Sequence, residues 1–228
     1  MHQERKPNAN HRMTDAEVVH SGDPVVLRNR HILTDNTVTS GQYEQSMKEL
    51  LLELNLLVWY EGVTLGLNLP TASKEDNYPP DFITPLFVNG KQVIIELHNA
   101  DKQYFSRVGK VRQLYGDRFY YILVKSNLDN PEAARMAVGK TNEHTEVDEF
   151  WQMPRITEFK RGVYSEYDKK VWKDLMYAWL KEFIEERADR VDNWEDAAAL
   201  VNVRREEDPA VGKRANWKDI AVIFNSHR

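Results

Sequence analysis

The stretch DFITPLFVNGKQVIIELH, residues 81–98, decides the fold of this chain. Two β-rich runs, Asp81–Val88 and Lys91–His98, flank Asn89-Gly90, the strongest short-range signal for a two-residue hairpin loop of type I′. With two residues in the loop, Val88 pairs with Lys91, and the ladder continues until Ile83 faces Glu96 and Asp81 faces His98. Side chains alternate along a strand, so Asp81, Glu96 and His98 project from one face, and Phe82, Leu86, Val93, Ile95 and Leu97 from the other. Asp81 and Glu96 become diagonal neighbours with backbones about 7–8 Å apart, which lets two carboxylates converge on one hard cation. Magnesium suits such a site because it takes oxygen ligands and keeps several waters. Pro85 can introduce a bulge and shift this register by one. The competing reading is the solvated face of a half-exposed hairpin. Ile83, Phe87 and Ile94 argue against it by making both faces partly apolar, and two carboxylates on a buried sheet are costly unless a cation or hydrogen bonds compensate them.

Outward from the hairpin, a helix is expected on either side. Upstream, Met47, Leu50, Leu51, Leu54 and Leu57 fall at helical spacing from Tyr43, with Ser40 as the expected N-cap. Leu52 and Leu56 lie off that stripe, so the second half of the helix is expected to be buried on more than one side. Gly62, Gly66, Pro70, Asn77, Pro79 and Pro80 then leave room for at most a short strand near Val63–Leu67. Downstream, Asp101–Tyr115 reads as a helix with Gly116 placed to cap it. FYYILVK, residues 119–125, is a continuous apolar run of strand length, as expected of a buried central strand.

The flanks have a different texture. The first thirty-nine residues are polar, with short apolar clusters at Val25-Val26-Leu27 and Ile32-Leu33, and read as an arm with at most a short strand. Beyond Ser126 helices and loops are expected. The main one spans 171–190, where Val171, Trp172, Leu175, Met176, Trp179, Leu180, Phe183 and Ile184 recur in pairs every fourth residue; such a stripe packs on the core or on a second copy of the chain, as a homodimer. Two further helical candidates are Trp194–Arg204 and Trp217–Phe224.

Composition narrows the chemistry. The 228 residues contain no cysteine, which removes disulfides, thiolate zinc sites and cysteine nucleophiles together. Any metal must be held by oxygen or imidazole. No apolar run approaches the roughly 18 residues of a membrane span, and the polar N-terminus lacks a signal-peptide pattern, so a cytoplasmic location is expected. The net charge of −5 argues against coating nucleic acid by bulk electrostatics but leaves a local basic groove open. Val138-Gly139-Lys140-Thr141 ends like a P-loop, yet Ala134 stands where the leading glycine would be. The seven histidines show no zinc spacing, and no serine sits in a G-x-S-x-G elbow.

From Ser40 through the strand ending near Lys125, about 85 residues, the chain resembles the core of the PD-(D/E)XK nuclease superfamily: helix, hairpin, helix, strand. The resemblance rests on the PD step at Pro80-Asp81, the acid of the E-x-K step at Glu96, and Tyr60-Glu61 shortly after the first helix. It implies an α/β, restriction-endonuclease-like core at 40–126, with an arm at 1–39 and a helical extension at 127–228. It also implies a Mg²⁺- or Mn²⁺-dependent DNA endonuclease in which Glu44, Asp81 and Glu96 hold the metal, with Glu53 in reserve for Glu44. One position departs from the pattern, because His98 stands where the family has its water-activating lysine. Either His98 acts as base, or Lys102 or Lys110 reaches in from the following helix. The histidine also invites comparison with very short patch repair endonucleases, whose cysteine zinc site is missing here. On that helix Lys102, Arg107, Lys110 and Arg112 concentrate positive charge, with aromatic residues interleaved, as contact with DNA phosphates requires. The rival expectation is a binding or assembly module that keeps the fold without cleavage.

Overall fold

The structure, a computed structural model, describes residues 18–23, 25, 27, 31–67, 77–98, 102–129 and 147–190. The helical candidates at 194–204 and 217–224 and the Val138–Thr141 motif lie outside the described residues.

The hairpin forms as its turn chemistry demands. Strands β5 (Phe82–Val88) and β6 (Lys91–Leu97) are antiparallel, and the loop residues Asn89 and Gly90 both take positive φ, 50° and 69°, the backbone of a type I′ turn. The register follows the expected one only beside the turn, where Val88 faces Lys91 and Phe87 faces Gln92. Beyond Pro85 it shifts: Ile83 faces Ile94, not Glu96, and Phe82 faces Ile95. The shift is by two residues rather than one. Pro85 has no N–H for the ladder, and the freed backbone is satisfied by side chains. The Thr84 hydroxyl donates to the Val93 carbonyl at 3.0 Å and accepts from the Leu86 N–H at 3.2 Å, while the Gln92 amide donates to the Thr84 carbonyl at 2.9 Å. Because the shift is even, every side chain keeps the face that alternation assigned to it.

The hairpin extends into a mixed sheet. β7 (Phe119–Leu128) lies parallel to β6, and β8 (Glu149–Pro154) parallel to β7. Short strands β2 (Trp59–Tyr60) and β11 (Asp189–Arg190) pair with opposite ends of β5. A small second sheet joins β1 (Val18–Val19), β3 (Thr64–Gly66) and β4 (Asn77–Tyr78). The Tyr115 hydroxyl ties it down by donating to the carbonyls of Val19 and Gly66 at 2.7 and 2.8 Å. The described part of the N-terminal arm is therefore packed, with Val19, Leu27 and Leu33 all buried.

Helices cover both faces of the main sheet. Helix α2 (Lys102–Tyr115) buries Tyr104, Val108, Val111 and Tyr115 against Ile83, Ile94, Tyr121 and Leu123. On the other face, α1 (Gln42–Glu53) and α3 (Glu166–Glu186) pack on Phe82, Leu86, Val93, Ile95 and Ile122. Gly41 caps α1, not Ser40, and it makes no side-chain cap bond. The helix ends at Glu53, earlier than the apolar spacing suggests, because Asn55 turns left-handed with φ 52°. The N–H groups of Asn55 and Leu56 then close back on Leu52 and Leu51, a Schellman stop. Gly116 ends α2 for a different reason: its φ is not positive, but a Cβ there would run into the Arg112 carbonyl that accepts its N–H.

The segment after Ser126 differs most from expectation. β8 completes the main sheet and β9 (Glu158–Lys160) with β10 (Val163–Tyr164) forms a hairpin, so the sheet runs across the 126/127 boundary. Helix α3 begins five residues before the expected start, at the cap Ser165, whose hydroxyl accepts from the Asp168 N–H at 3.1 Å. Its paired stripe is consumed inside the chain. Trp172, Met176, Trp179, Leu180 and Phe183 are all buried on the core, and Leu175 and Ile184 are partly buried against it. No helix among the described residues is long and apolar enough to cross a membrane.

Candidate metal centre

The shifted register brings two acids together. Continued one residue beyond Phe82–Ile95, it sets Asp81 opposite Glu96, where the sequence reading had them diagonal. Each carboxylate then bonds the other's strand: the Asp81 N–H donates to Glu96 Oε2 at 3.0 Å, and the Leu97 N–H donates to Asp81 Oδ2 at 2.8 Å. Glu96 is only 5% exposed. Its second oxygen accepts from the Tyr104 hydroxyl at 2.8 Å. Tyr104 is one of three buried tyrosines whose hydroxyls meet beside Glu96. The others are Tyr78, at 3.1 Å from Tyr104, and Tyr121, at 3.3 Å, and these two also bond each other.

The electrostatics of this cluster favour protons or a cation. Burial pushes the Asp81 carboxyl well above the usual carboxylate range, and the charges of Glu96 and Glu44 push it further against the opposing Leu97 N–H. Burial likewise raises Glu96 to about 7, although the Asp81 N–H and the Tyr104 and Tyr78 hydroxyls favour its charged form. All three tyrosines are raised in turn, first by burial and then by the Glu96 charge. Among the described residues neither acid forms an ion pair. The donor set is oxygen only, which fits magnesium or manganese.

Glu44 approaches from the first turn of α1. Its carboxylate accepts from the Tyr60 hydroxyl and from the Ser40 N–H at 2.8 Å, a variant of the capping box, so it serves the helix end as well. Glu53, the reserve, closes α1 at its far end and lines the α1–α3 cleft instead. No three His, Asp or Glu side chains among the described residues form a complete cation cage. Magnesium does not require one, since it is commonly held by one or two carboxylates together with water and substrate phosphate. Glu61 takes a positive φ of 46°, and its N–H donates to the Asp81 carbonyl at 2.9 Å. The Tyr60-Glu61 step thus fixes the backbone of Asp81.

His98 is exposed, with its ring stacked on Tyr104 at 3.6 Å between centroids and 21° between planes. The imidazole therefore lies one ring away from the hydroxyl that holds Glu96. Lys110 is bonded to Gln113 at 3.1 Å and sits about 9 Å along the helix axis from Tyr104 at 1.5 Å per residue. Two of the four cations on α2 are engaged in structure. Arg107 donates to the Asn77 carbonyl at 2.9 Å and lies over the Tyr78 ring, while Arg112 holds the Val147 carbonyl at 2.8 Å and Asp148 at 3.2 Å. The Lys102 side chain lies outside the described set.

Sequence reasoning missed the tyrosine cluster. Its one available signal was parity, since Tyr121 is on the same sheet face as Glu96 and Tyr104 is in the first turn of the covering helix. A cleft of about 680 Å³ between α1 and α3 lies over the opposite face, walled by such pairs as Lys173–Glu49 and Lys169–Glu166. Comparison with known proteins finds no matching family model, no matching characterised protein and no matching solved structure.

Proposed function

We propose that this chain is a metal-dependent DNA endonuclease with a restriction-endonuclease-like core. The carrying observation is the reciprocal pair: Asp81, half-buried, and Glu96, buried, meet at one end of the hairpin, each bonded to the other's strand and raised by burial, with no cation paired to either among the described residues. The element order α1, β5–β6 hairpin, α2, β7 supports the same reading, as does the oxygen-only donor set. Asp81 and Glu96 would hold Mg²⁺ or Mn²⁺ together with water and substrate phosphate, and Glu44 would join them only by leaving Tyr60 and Ser40. The metal when bound supplies charge neutralisation at the phosphate and a more acidic water. His98, stacked on Tyr104 at the exposed edge of the site, would accept a proton from water, and Tyr104 holds the Glu96 carboxylate that would bind the cation.

A second reading, a binding module without cleavage, is favoured by the bonds that already engage Glu44 and by the histidine at the lysine position. One experiment separates the two. Asp81→Asn and Glu96→Gln should each keep the fold and lose Mg²⁺- or Mn²⁺-dependent cleavage of plasmid DNA by about a thousandfold or more, because several kcal/mol of metal-centred stabilisation disappears at about 1.36 kcal/mol per tenfold. Wild-type cleavage by either variant overturns the site assignment. A wild-type protein that binds either ion and DNA but never cleaves leaves the second reading standing.

A further inference from the structure

The β9–β10 hairpin leaves the main sheet at the same end as the carboxylate pair. β6, β7 and β8 are parallel, and Leu97, Val124 and Trp151 lie level across them. The hairpin root at Pro154 is thus two strands across and three residues further along, about 10 Å in each direction. The first turn of α1 links the two places physically. The Tyr43 hydroxyl accepts from the Ile156 N–H at 2.9 Å, while its neighbour Glu44 bonds Tyr60 beside Asp81.

Among the described residues, the exposed large hydrophobics that are aromatic both lie at this hairpin. Phe159 is 71% exposed, and Tyr167, just past the hairpin in the first turn of α3, is 76% exposed. Lys160 and Arg161 occupy the tip and form no ion pair among the described residues. Glu158, the one acid between 158 and 164, is exposed, and its carboxylate accepts the Gly162 N–H across the turn at 2.8 Å. The root is rigid: Thr157 accepts from the Ser165 N–H at 2.8 Å and donates its own N–H to Asp168 at 3.0 Å. A large aromatic ring held in water on a braced turn, with two unpaired cations next to it, has the chemistry of a stacking platform for a nucleic-acid strand.

We propose that the β9–β10 hairpin is a nucleic-acid contact of this protein, with Phe159 stacking on an unpaired or opened base and Lys160 and Arg161 meeting the adjoining phosphates. This rests on the nuclease reading for its choice of partner, and it moves the main DNA contact from α2, where Arg107 and Arg112 are engaged in structure, to the hairpin. The test measures binding of a fluorescein-labelled mixed-sequence DNA oligonucleotide, single-stranded and annealed to its complement, to the full chain with calcium in place of magnesium. Phe159→Ala should weaken single-strand binding by about fivefold or more, as loss of one stacked base does, and Phe159→Trp should retain it. Lys160→Ala with Arg161→Ala should lower the slope of log affinity against log salt by about 1 to 1.5, near 0.7 per phosphate contact on a single strand. Phe159 is so exposed that its loss leaves folding intact, which circular dichroism checks. Unchanged affinity and salt slope in both variants overturns the hairpin assignment, as does a wild-type protein that binds neither oligonucleotide. Hairpin-dependent binding by a protein that never cleaves with Mg²⁺ or Mn²⁺ upholds the contact and sinks the nuclease reading instead.

Discussion

The main sheet buries carboxylates in two places, and it treats them in opposite ways. Glu149, 2% exposed at the start of β8, accepts from the Tyr120 hydroxyl at 2.9 Å and the Trp151 indole at 2.7 Å, and is paired with Arg187 at 2.6 Å. Arg187 also donates to Tyr120 at 2.8 Å and lies over the Phe183 ring. The charge is neutralised from within the chain. Asp81 and Glu96 receive backbone N–H groups and a tyrosine hydroxyl, but each also feels the other's negative charge or that of Glu44. Burial alone therefore does not mark a functional acid. Where the fold supplies the counter-charge, the acid is structural; where it supplies only orientation, the cation is expected from outside.

The largest effect that could sharpen this contrast concerns His98, since the Glu149 site has Arg187 where this one has an imidazole at its exposed edge. If His98 takes the proton from water, His98→Ala should slow cleavage by roughly 10²–10⁴ with a smaller effect on DNA binding, and His98→Lys should restore part of the rate. If Lys110 leaves Gln113 and swings in, its alanine variant is the crippled one and His98→Ala is mild. Single-turnover rates at saturating Mn²⁺ decide between them. Two mild phenotypes would remove both residues from the chemistry.

Next in size is the structural acid. Arg187→Met leaves Glu149 buried without its cation and should cost about 3 kcal/mol of stability, read by urea denaturation, without altering the cleavage rate of the folded protein. Adding Glu149→Gln should recover part of that loss, because the stranded charge is gone. Asp81→Asn should do the reverse, leaving stability unchanged or raised while cleavage disappears. A Glu149→Gln variant that loses cleavage while fully folded would break the distinction between the two sites.

One side of this contrast was legible in the sequence, and the other was hidden for identifiable reasons. Alternation across Asn89-Gly90 placed Asp81, Glu96 and His98 on one face, and that assignment is insensitive to an even shift. The pairing itself was not legible, because the two-residue bulge depends on Thr84 and Gln92 satisfying backbone groups that Pro85 releases. β8 escaped notice because Glu149 heads the strand and Gln152 interrupts it, so EFWQMP lacks a strand's simple periodicity. Its burial comes from β7 and α3, and a tertiary partner such as Arg187, 38 residues away in sequence, leaves no local trace. The apolar stripe of α3 was plain, but periodicity cannot say whether the surface that covers it belongs to the same chain.

The smallest effect follows from the protons. Glu96 is raised from the ordinary 4.5 to about 7 in the folded chain, so the folded state holds this proton more tightly than the unfolded state. The sign follows directly: this contribution to stability is complete below about pH 4.5, and it is lost as pH rises through 7. Asp81 is shifted in the same direction, which adds to the decline. Burial raises the Glu49 carboxyl, but hydrogen bonds from Lys173 and Gln45 together lower it, and hydrogen bonds at Thr157 lower Asp168; both act the other way, below the window between pH 5 and 8. In EDTA the melting temperature should therefore fall between pH 5 and 8, with Glu96 alone contributing the equivalent of about 3 kcal/mol at 1.36 kcal/mol per pKa unit. Adding Mg²⁺ or Mn²⁺ at pH 8 should return about 2.7 kcal/mol at a hundredfold excess over the dissociation constant, since the cation replaces the lost proton. Glu96→Gln should flatten the pH slope and abolish the metal response together. Glu149→Gln should do neither, and a pH slope that persists unchanged in Glu96→Gln would place the titrating group elsewhere.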